Sequence, residues 1–484
     1  MEAGFLVDIE FGTDGWRSIM DKEHFNLQNV SIVGQAISNY LESEKLVSKP
    51  ILVGYDTRNN SRLFGETISR VLIANNIQVK LTNSDVPTPV IAFLVLHFKA
   101  GGAVMITASH NPPEYNGIKF IPHYASPAMP DITNKLMKEI KLIQSNNLSI
   151  NKFEGELKNS SNFNEFDPTE LYIDNLLKKI DVKSIKEENY IVAIDPLFGT
   201  SRTYLKLILK KLNCKIHAIH DNLDPNFGGK MPNPNSEILK DLSNLVLEKN
   251  ADIGMACDGD GDRSGIIDDK GNFIDANYLF GLLFKYNLDR GLTGDTVRTV
   301  STTHLIDKIA EDYNLHVYET PVGSKYIGLY MREKNLLIGG ESSGGLMFRG
   351  HTPEKDGIFT NMKILEMMAF YKKSLSALLK DLIDRYGKIY FKQIDIECDD
   401  KLKDKILNKL SKILPNTFAG LTVEKKIEID GFKFVLNDRS WLLIRKSGTE
   451  PLLRLYCEST DDSTLEKLIK EGKNFIISAQ KQFS

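Results

Sequence analysis

Short apolar runs that end in an acidic residue recur along this sequence, and they constrain its fold more than any other feature. Asp56, Asp195 and Asp258 each close such a run, and between the runs apolar residues follow the spacing of helices. Strands that alternate with helices form parallel sheets, which gather polar groups at the carboxyl ends of their strands. The pattern predicts α/β domains that are related to one another, with a ligand site where such strands end.

The chain of 484 residues is long enough for several domains. Residues 145–166 are rich in Asn, Ser, Lys and Glu and lack apolar periodicity, which indicates a first boundary near residue 158. The C-terminal part differs, because strand-like segments are joined there by short turns such as the hairpin signal Asp430-Gly431, before a terminal helix. We expect three α/β domains at 1–158, 159–270 and 271–385, and a smaller α+β domain at 386–484.

Some helices of the α/β part can be placed from their first residues. Ser61 opens a pattern of apolar residues with helical spacing that runs to Leu72. Asp131 and Ser236 are predicted to cap two further amphipathic helices, because their side-chain oxygens can accept backbone N–H groups of the first turn.

Composition and charge limit the kinds of partner. The formal net charge of −3 and a pI near 6.4 argue against a nucleic-acid or membrane surface as the main partner. Four cysteines lie far apart without a Cys-x-x-Cys pair, which argues against a zinc knuckle or a disulfide framework. The charged N-terminus does not form a signal peptide, and no apolar run is long enough to span a bilayer. We expect a cytoplasmic monomer or homodimer that binds small molecules.

A serine stands at the end of a predicted strand in the first domain. The apolar run 104–106 leads to Ser109, and the Pro112-Pro113 pair that follows forbids a helix, so the chain must turn and hold a hydroxyl at the strand end. Beside His110, this serine could be a hydrolase nucleophile, but the Gly-x-Ser-x-Gly elbow is absent. An ordinary strand-to-loop turn is the alternative.

Three carboxylates alternate with glycines at Asp258, Asp260 and Asp262. They would repel one another strongly without a hard cation, and oxygen ligands of this kind suit Mg²⁺. An EF-hand does not fit, because Arg263 occupies its glycine position and Asp269 stands where it needs glutamate. The motif alone leaves two alternatives open, an aspartyl-phosphate phosphatase with Asp258 as its nucleophile and a solvated acidic turn.

Three later loops have the composition of ligand-binding loops. At 323–325 a helix start and a lysine could together receive an anion. Segment 339–345 places four glycines around Glu341 and two serines, which suit sugar hydroxyls. Segment 445–451 combines cations, hydroxyls and a glycine, as phosphate clamps do. Each of these loops could equally be a plain turn.

The segment Thr107-Ala-Ser-His-Asn-Pro, with Asn-Gly-Ile-Lys at 116–119, resembles the phosphoserine loop of the α-D-phosphohexomutases. These enzymes move a phosphate between the two ends of a hexose phosphate. Four further segments resemble other loops of this family and follow in its order: 11–17, 258–263, 339–343 and 445–449. One likeness would be weak evidence, whereas five in order at domain-scale spacing favour the family strongly.

The resemblance implies four domains around a central cleft and a covalent mechanism. Ser109 would carry a phosphate, pass it to the free hydroxyl of a bound hexose monophosphate, and take back the other phosphate from the resulting hexose 1,6-bisphosphate. The cofactor implied is Mg²⁺, and its implied ligands are Ser109, Asp258, Asp260 and Asp262.

The resemblance also assigns roles to charged residues of the cleft. Arg17, Lys119 and Arg263 would stabilise negative charge. Lys119 is our first candidate for proton transfer, because a lysine near other cations can have its pKa lowered towards neutrality. The alternatives for that role are His110, His351 and Lys355. The substrate contacts implied or proposed are Lys325, Glu341, Ser343, His351, Arg445, Ser447, Gly448 and Thr449.

Features of the third domain bear on the choice of sugar. Ser324 stands where phosphoglucomutase-like members often carry an aromatic residue, and Gly345 where the phosphomannomutase/phosphoglucomutase branch commonly has a histidine. Segment 351–357 resembles the His-x-x-Glu-Lys-Asp-Gly segment of phosphoglucomutases. We expect a phosphoglucomutase with measurable mannose phosphate activity and clearly lower activity on amino sugars. A phosphomannomutase or dual-specificity enzyme is the alternative, and a non-catalytic sugar-phosphate-binding protein is a remote one.

Overall fold

The computed structural model describes residues 9–12, 14–447 and 452–480. Over this part, the chain forms three successive α/β units followed by an antiparallel sheet with helices packed on it. The predicted fold class, three α/β domains and a smaller α+β domain, is therefore confirmed. Among the described residues, none of the helices combines the length and the apolar character that crossing a bilayer requires.

The first unit alternates strands and helices, as its apolar pattern predicts. Its elements are β1 (Trp16–Ile19), α1 (Leu27–Ser43), β2 (Ile51–Tyr55), α2 (Ser61–Ala74), β3 (Val79–Thr82), α3 (Thr88–His97), β4 (Gly102–Ile106), β5 (Tyr115–Pro122), α4 (Pro130–Ser145) and β6 (Phe163–Phe166). The strand order is β1-β5-β4-β2-β3-β6. Parallel β2 and β4 bring Asp56 and Ser109 to one edge of the sheet, and antiparallel β5 returns Lys119 opposite Met105.

The second unit carries the carboxylate loop at the end of a central strand. Its elements are α5 (Thr169–Leu177), α6 (Val182–Glu188), β7 (Ile191–Asp195), α7 (Ser201–Lys211), β8 (Lys215–Ala218), α8 (Lys240–Lys249), β9 (Ile253–Cys257), β10 (Ser264–Ile267) and β11 (Phe273–Ile274). The strand order is β11-β10-β9-β7-β8, with β7 and β9 parallel. Because β10 runs antiparallel to β9, the loop 258–263 is a tight connection between them.

The third unit holds two of the predicted loops. Its elements are α9 (Ala276–Asp289), β12 (Thr296–Thr299), α10 (Leu305–Asp312), β13 (Val317–Thr320), α11 (Ser324–Lys334), β14 (Ile338–Gly340), β15 (Leu346–Phe348), α12 (Gly357–Tyr371) and α13 (Leu375–Tyr386). The strand order is β13-β12-β14-β15. Glu341 lies in the turn between antiparallel β14 and β15, and Lys325 lies in the first turn of α11.

The fourth unit is an antiparallel sheet, in the order β16-β21-β20-β19-β18-β17, with two helices. Its elements are β16 (Tyr390–Glu397), α14 (Asp400–Ser411), β17 (Thr417–Phe418), β18 (Leu421–Ile427), β19 (Phe432–Leu436), β20 (Trp441–Lys446), β21 (Leu452–Ser459) and α15 (Asp462–Gln480). The predicted hairpin at Asp430-Gly431 joins β18 to β19, and Gly431 has the positive φ of +85° that such turns favour.

Local sequence patterns predicted the presence of helices more accurately than the residues at which the helices begin. Helix α2 begins at Ser61 as predicted. Asp131 does not cap α4, because Pro130 opens the helix after Met129 and moves Asp131 into the first turn. Ser236 does not cap α8 either: that helix begins at Lys240. The predicted domain boundaries remain predictions, although β6 and β11 extend their sheets beyond residues 158 and 270.

The buried apolar clusters connect the three α/β units to one another more extensively than to the fourth unit. One continuous buried cluster contains residues of all three α/β units, including Val90, Leu205 and Phe284. The first unit also has a separate core, and the fourth unit has a core of its own between its sheet and its helices. The third and fourth units meet through a smaller cluster in which Val300 packs with Trp441 and its neighbours.

A buried lysine reinforces this smaller contact. Lys433 of β19 is fully buried, donates to the Val300 carbonyl at 2.9 Å and to Glu319 at 3.1 Å, and lies 4.2 Å from the centroid of a Trp441 ring. Burial, with Arg298 adding to it, lowers the pKa of Lys433 to about 8. The hydrogen bonds of this buried ammonium group therefore join the fourth unit to the third.

Candidate active site

The ends of β4 and β9 bring a serine and an aspartate together from two different units. The Ser109 hydroxyl donates to Oδ2 of Asp258 at 2.9 Å, and both residues are buried. The predicted nucleophile and the predicted metal loop are thus in direct contact. This contact joins residues that the sequence separates by 149 positions.

The backbone of Ser109 has a conformation that non-glycine residues rarely adopt, with a φ of +51°. Two hydrogen bonds hold it there: its N–H donates to Thr107 Oγ1 at 2.8 Å, and its carbonyl accepts from Arg58 Nη2 at 2.7 Å. Conformations of this kind cost on the order of 1–3 kcal/mol and persist where the surroundings enforce them. The direction of the hydroxyl is therefore set by the protein around it.

Arg58 organises the whole serine loop, and sequence reasoning missed it. Its side chain is fully buried and pairs with Asp56 at 3.1 Å. Its remaining N–H groups donate to the carbonyl oxygens of Ser109, Asn111, Pro112 and Tyr115. Asp56 in turn accepts a hydrogen bond from Thr107 at 2.6 Å. The buried Asp56–Arg58 ion pair therefore holds the backbone of the serine loop.

Asp258, Asp260 and Asp262 are fully buried, and their oxygens lie within 4.8 Å of one another. Burial raises the pKa of Asp258 well above its usual value, and the other two carboxylates raise it further. Within the described part of the chain, Oδ1 of Asp260 and Oδ1 of Asp262 are buried without a hydrogen-bond partner. Buried acceptor oxygens with unused lone pairs, gathered in one place, fit a hard divalent cation.

Two lysines lie against the same carboxylates. Lys119 Nζ is 2.9 Å from Asp260 and 3.1 Å from Asp262, and Lys355 Nζ is 2.9 Å from Asp262. Burial alone would lower the pKa of Lys119, but Asp14 and the two metal-loop carboxylates outweigh it and raise the pKa well above its usual value. The expectation of a lowered pKa for Lys119 is wrong, because its nearest neighbours are carboxylates rather than cations.

Asp14 lies between cations of the first and third units, and it was also missed. Its Oδ2 lies 2.9 Å from Lys119 and 3.2 Å from Arg17, with Lys355 at 3.9 Å. Burial would raise the pKa of Asp14, but Lys119, Lys355 and Arg17 together hold it below its usual value. The sequence pattern drew attention to the arginine of this loop only.

Thr88 supports a predicted metal ligand from the start of α3. Its hydroxyl donates to Oδ2 of Asp260 at 2.6 Å, and its backbone N–H donates to the Asp260 carbonyl at 2.8 Å. The Thr-Pro pair signals a helix start, and the structure has one there. Nothing local in the sequence indicates that the hydroxyl would reach across to the second unit.

His110 and the two arginines flank this centre. Nδ1 of His110 is 3.3 Å from the Ser109 hydroxyl, and Arg263 followed by burial holds the His110 pKa well below its usual value. The Arg263 guanidinium lies near the metal-loop carboxylates, with Nε 3.8 Å from Asp262. Arg17 donates to the Asn111 side chain at 3.0 Å. With the Ser109 proton donated to Asp258, a neutral His110 that is protonated at Nδ1 can donate to the serine oxygen.

The predicted sugar loop is tied to the predicted anion-binding loop. Oε1 of Glu341 accepts the N–H of Gly323 at 3.1 Å. Lys325, two residues later, is buried, while Ser343 is exposed. These loops of the third unit are thus neighbours, which is what shared recognition of one sugar requires.

His351 lies inside the protein, with 1% of its side chain exposed. Its Nε2 is 2.8 Å from Asp356, which accepts from Tyr172 at 2.6 Å, and its ring stacks on Phe359 at 4.0 Å. These contacts support the start of α12, immediately after Lys355. A direct role of His351 in substrate binding stays a prediction, and the structure gives the residue this supporting role.

Gly345 makes room for Lys355. A β-carbon at position 345 would lie 2.4 Å from Cδ of that lysine, far inside contact distance. The stem of Lys355 therefore occupies the space beside the sugar loop and carries its ammonium to Asp262. The small residue at this position and the lysine depend on each other.

The predicted phosphate clamp is described only in part. Arg445 is buried near the end of β20 and pairs with Asp430 at 3.0 Å. Ser447 is buried, and its carbonyl accepts from Lys403 at 3.4 Å. Gly448 and Thr449 lie outside the described residues.

Models of one protein family match four successive segments of the chain. The models described as phosphoglucomutase/phosphomannomutase alpha/beta/alpha domains I, II and III match residues 8–147, 170–271 and 275–386. The model of the C-terminal domain of the same family matches residues 394–472. Together they account for most of the sequence.

Individual proteins are similar along the whole chain. It is 32% identical over 479 residues to a phosphoglucomutase/phosphomannomutase of Thermococcus kodakarensis, covering 97% of this chain and 99% of that protein. It is 32% identical over 435 residues to a phosphoglucosamine mutase of Methanococcus maripaludis, covering 88% and 92%. A crystal structure from Thermus thermophilus, of a protein named as a phosphomannomutase, matches with a TM-score of 0.84 at 27% identity and covers 98% of this chain and 100% of that one.

Proposed function

The chain belongs to the phosphoglucomutase/phosphomannomutase family of phosphohexomutases, which are intramolecular phosphotransferases, and we propose that it interconverts hexose 1-phosphate and hexose 6-phosphate through phosphorylated Ser109. One observation carries the proposal: the Ser109 hydroxyl lies 2.9 Å from Asp258, inside a cluster of three buried carboxylates. A serine that merely ended a strand would need neither the carboxylates nor the cations around them.

In the first transfer, the free hydroxyl of a bound hexose monophosphate attacks the phosphorus of phosphoserine. The bond between phosphorus and Ser109 Oγ breaks, and the sugar becomes a 1,6-bisphosphate. The proton-transfer group takes the proton of the attacking hydroxyl and returns a proton to Ser109 Oγ, which becomes a hydroxyl again. After the bisphosphate has reversed its orientation in the cleft, Ser109 Oγ gives up its proton and attacks the other phosphate. The bond between that phosphorus and the sugar oxygen breaks, the sugar oxygen takes a proton, and the isomeric monophosphate is released. Arg17 and Arg263 add positive charge beside the reacting serine, where negative charge is spread during transfer.

The carboxylates and Ser109 would hold the Mg²⁺ that this chemistry uses. The unpartnered oxygens of Asp260 and Asp262 support this assignment, because a cation satisfies them and a solvated turn would not leave them buried. When bound, Mg²⁺ neutralises charge on the transferred phosphoryl group. Thr88 and Lys119 hold Asp260 from its other oxygen and keep the ligand oriented.

Proton transfer has three candidates in the described centre. Lys119 is our first choice, because it lies among the residues that surround the serine and can donate a proton to an oxygen that becomes a hydroxyl. His110 is in reach of the Ser109 hydroxyl itself at 3.3 Å, and Lys355 lies on Asp262. Separate substitution of each, with the pH dependence of turnover as readout, distinguishes them.

The primary test is Ser109→Ala in an assay that couples formation of glucose 6-phosphate from glucose 1-phosphate to a dehydrogenase. Turnover should fall by about 10⁴-fold or more, because alanine has no oxygen to carry the phosphate covalently. Binding of glucose 6-phosphate, followed by calorimetric titration, should be retained. Ser38→Ala is the matched control, because Ser38 is a buried serine of α1 whose hydroxyl bonds only to its own helix at Gly34. Most of the activity surviving in Ser109→Ala would refute the phosphoserine mechanism.

Glucose phosphate is the substrate that we propose first, on the strength of segment 351–357 and Lys325. Glucosamine phosphate is the second candidate, because the Methanococcus relative that matches 88% of this chain is named a phosphoglucosamine mutase. Mannose phosphate differs from glucose phosphate only at the 2-hydroxyl. We expect the catalytic efficiency kcat/KM to fall in the order glucose, mannose, glucosamine phosphate. A preference for glucosamine phosphate would overturn this order while leaving the mutase reaction intact.

A further inference from the structure

Asp430 stands between the predicted phosphate clamp and the loops of the third unit. It lies in the hairpin turn between β18 and β19, and its Oδ2 accepts two hydrogen bonds. One comes from Nε of Arg445 at 3.1 Å, and the other from the backbone N–H of Val322 at 3.0 Å. Nη2 of Arg445 lies 3.0 Å from the same oxygen and completes the ion pair. One carboxylate oxygen therefore joins the fourth unit to the third.

The far end of this connection reaches the predicted sugar contact. Gly323 follows Val322 in the chain and donates its own N–H to Glu341 at 3.1 Å. Val322 also packs on the apolar cluster around Trp441 at the junction of the two units. A displacement of the Val322–Gly323 segment would be felt at Glu341 and at Asp430 together.

The turn that carries Asp430 has little freedom to move away from the clamp. A β-carbon on Gly431 would lie 2.2 Å from the Ile444 carbonyl oxygen and 2.8 Å from Cβ of Arg445. The backbone of the turn therefore rests directly on β20 at the position of the arginine. Because 23% of the Asp430 side chain and 9% of the Arg445 side chain are exposed, the pair is largely shielded from water.

We propose that Asp430 is a positioning residue that couples phosphate binding at Arg445 to sugar recognition at Glu341. The inference rests on the proposed function, because both groups are taken to hold one hexose phosphate. Asp430 fixes the plane of the Arg445 guanidinium, and through Val322 it fixes the backbone that Glu341 holds. A ligand group bound at one end therefore also helps to hold the other end in place, and binding at the two ends is cooperative.

The first test measures phosphate binding in the absence of a sugar ring. Equilibrium binding of inorganic phosphate, followed as competition against glucose 6-phosphate, should be about 10-fold weaker in Asp430→Asn, which keeps the size of the side chain and removes its charge. Asp438→Asn is the matched control, because Asp438 is an aspartate of the next hairpin and bonds to Ser440 instead. Phosphate affinity in Asp430→Asn equal to that of the control overturns the proposal.

The second test measures coupling, which a purely structural residue would not change. In the native background, the loss of glucose 6-phosphate affinity in the double variant Glu341→Gln with Arg445→Ala should be about 5-fold smaller than the product of the two single losses. With Asp430→Asn added to each protein, the losses should multiply. The ratio of the product of the two single losses to the loss in the double variant measures the coupling. If this ratio is the same with and without Asp430→Asn, the two ends are not coupled through this residue.

Folding and the underlying function are separated by the same measurements. Melting temperatures of all variants are compared first, and Asp430→Ser repeats the cycle if Asp430→Asn is destabilised. If the native protein binds neither inorganic phosphate nor glucose 6-phosphate, the proposed function fails together with this inference. If it binds both, and the cycle is unchanged by Asp430→Asn, this inference alone fails.

Discussion

Replacing Thr88 by valine should weaken metal binding without touching a ligand. Valine has the shape of threonine, so the packing of α3 is kept and one bond is lost, the 2.6 Å hydrogen bond from the hydroxyl to Oδ2 of Asp260. The backbone N–H of residue 88 still reaches the Asp260 carbonyl. Lys119 remains on the same carboxylate oxygen at 2.9 Å, so Asp260 keeps its charge partner and loses its neutral one.

The magnitude follows from the kind of bond that is lost. A hydrogen bond to a charged group contributes about 1.5–3 kcal/mol, which corresponds to roughly 10–150-fold in an equilibrium constant. Groups that orient metal ligands typically change metal affinity by about 10–100-fold when they are removed. We therefore expect the Mg²⁺ concentration for half-maximal activity to rise by about 10–100-fold in Thr88→Val, with turnover at saturating Mg²⁺ and KM for the sugar phosphate close to native.

The assay is a Mg²⁺ titration of activity after removal of metal with a chelator, supported by calorimetric titration of Mg²⁺ into the protein. Thr67→Val is the matched control, because Thr67 is also a buried threonine but bonds to the Leu63 carbonyl within α2. An unchanged Mg²⁺ midpoint together with lower maximal turnover would refute the reasoning, since it would assign Thr88 to the chemistry rather than to the orientation of Asp260.

Two further predictions concern the fourth unit. Arg445→Ala should raise KM for 1-phosphate and 6-phosphate substrates alike, because in the proposed mechanism the clamp holds whichever phosphate is not reacting; the expected loss of binding free energy is about 1.5–3 kcal/mol. Steady-state kinetics in both directions check this, and an effect in one direction alone would contradict it. Lys433→Met should remove a pH dependence of the folding stability. The pKa of Lys433 is about 8 in the folded protein and 10.5 in the unfolded chain, so the unfolded state binds more protons between these two pH values. Native stability should therefore rise relative to Lys433→Met as the pH goes from about 8 to 10.5, measured as the difference between their melting temperatures, and a constant difference would contradict the sign.

Elements of the fold and residues of the site could be predicted from the sequence where a local pattern indicated them. Ser109 and Asp258 stand out because each follows an apolar run and opens a loop of unusual composition, and parallel strands bring such loops to one edge. The hairpin at Asp430-Gly431 was predictable for the same reason, since the turn needs a positive φ at the glycine.

Residues that act through distant contacts gave no such signal. Asp14, Arg58 and Thr88 lie in a glycine loop, after a strand and at a helix start, and each has an ordinary local explanation. Their partners lie many residues away, as with Thr88 and Asp260, which are 172 positions apart. The predicted direction of the Lys119 pKa shift was wrong for the same reason. That direction depends on whether carboxylates or cations lie nearest to the lysine in three dimensions.

The continuous apolar cluster of the three α/β units has a consequence for how the chain can be divided. A cut between any two of these units would expose part of this cluster, although the first unit also encloses a separate core. The fourth unit encloses its own core, and a cut ahead of Tyr390 would uncover mainly the small junction around Val300 and Trp441. The first three units therefore share one buried cluster beneath the serine and its carboxylates, whereas the fourth unit is joined to them through a smaller junction.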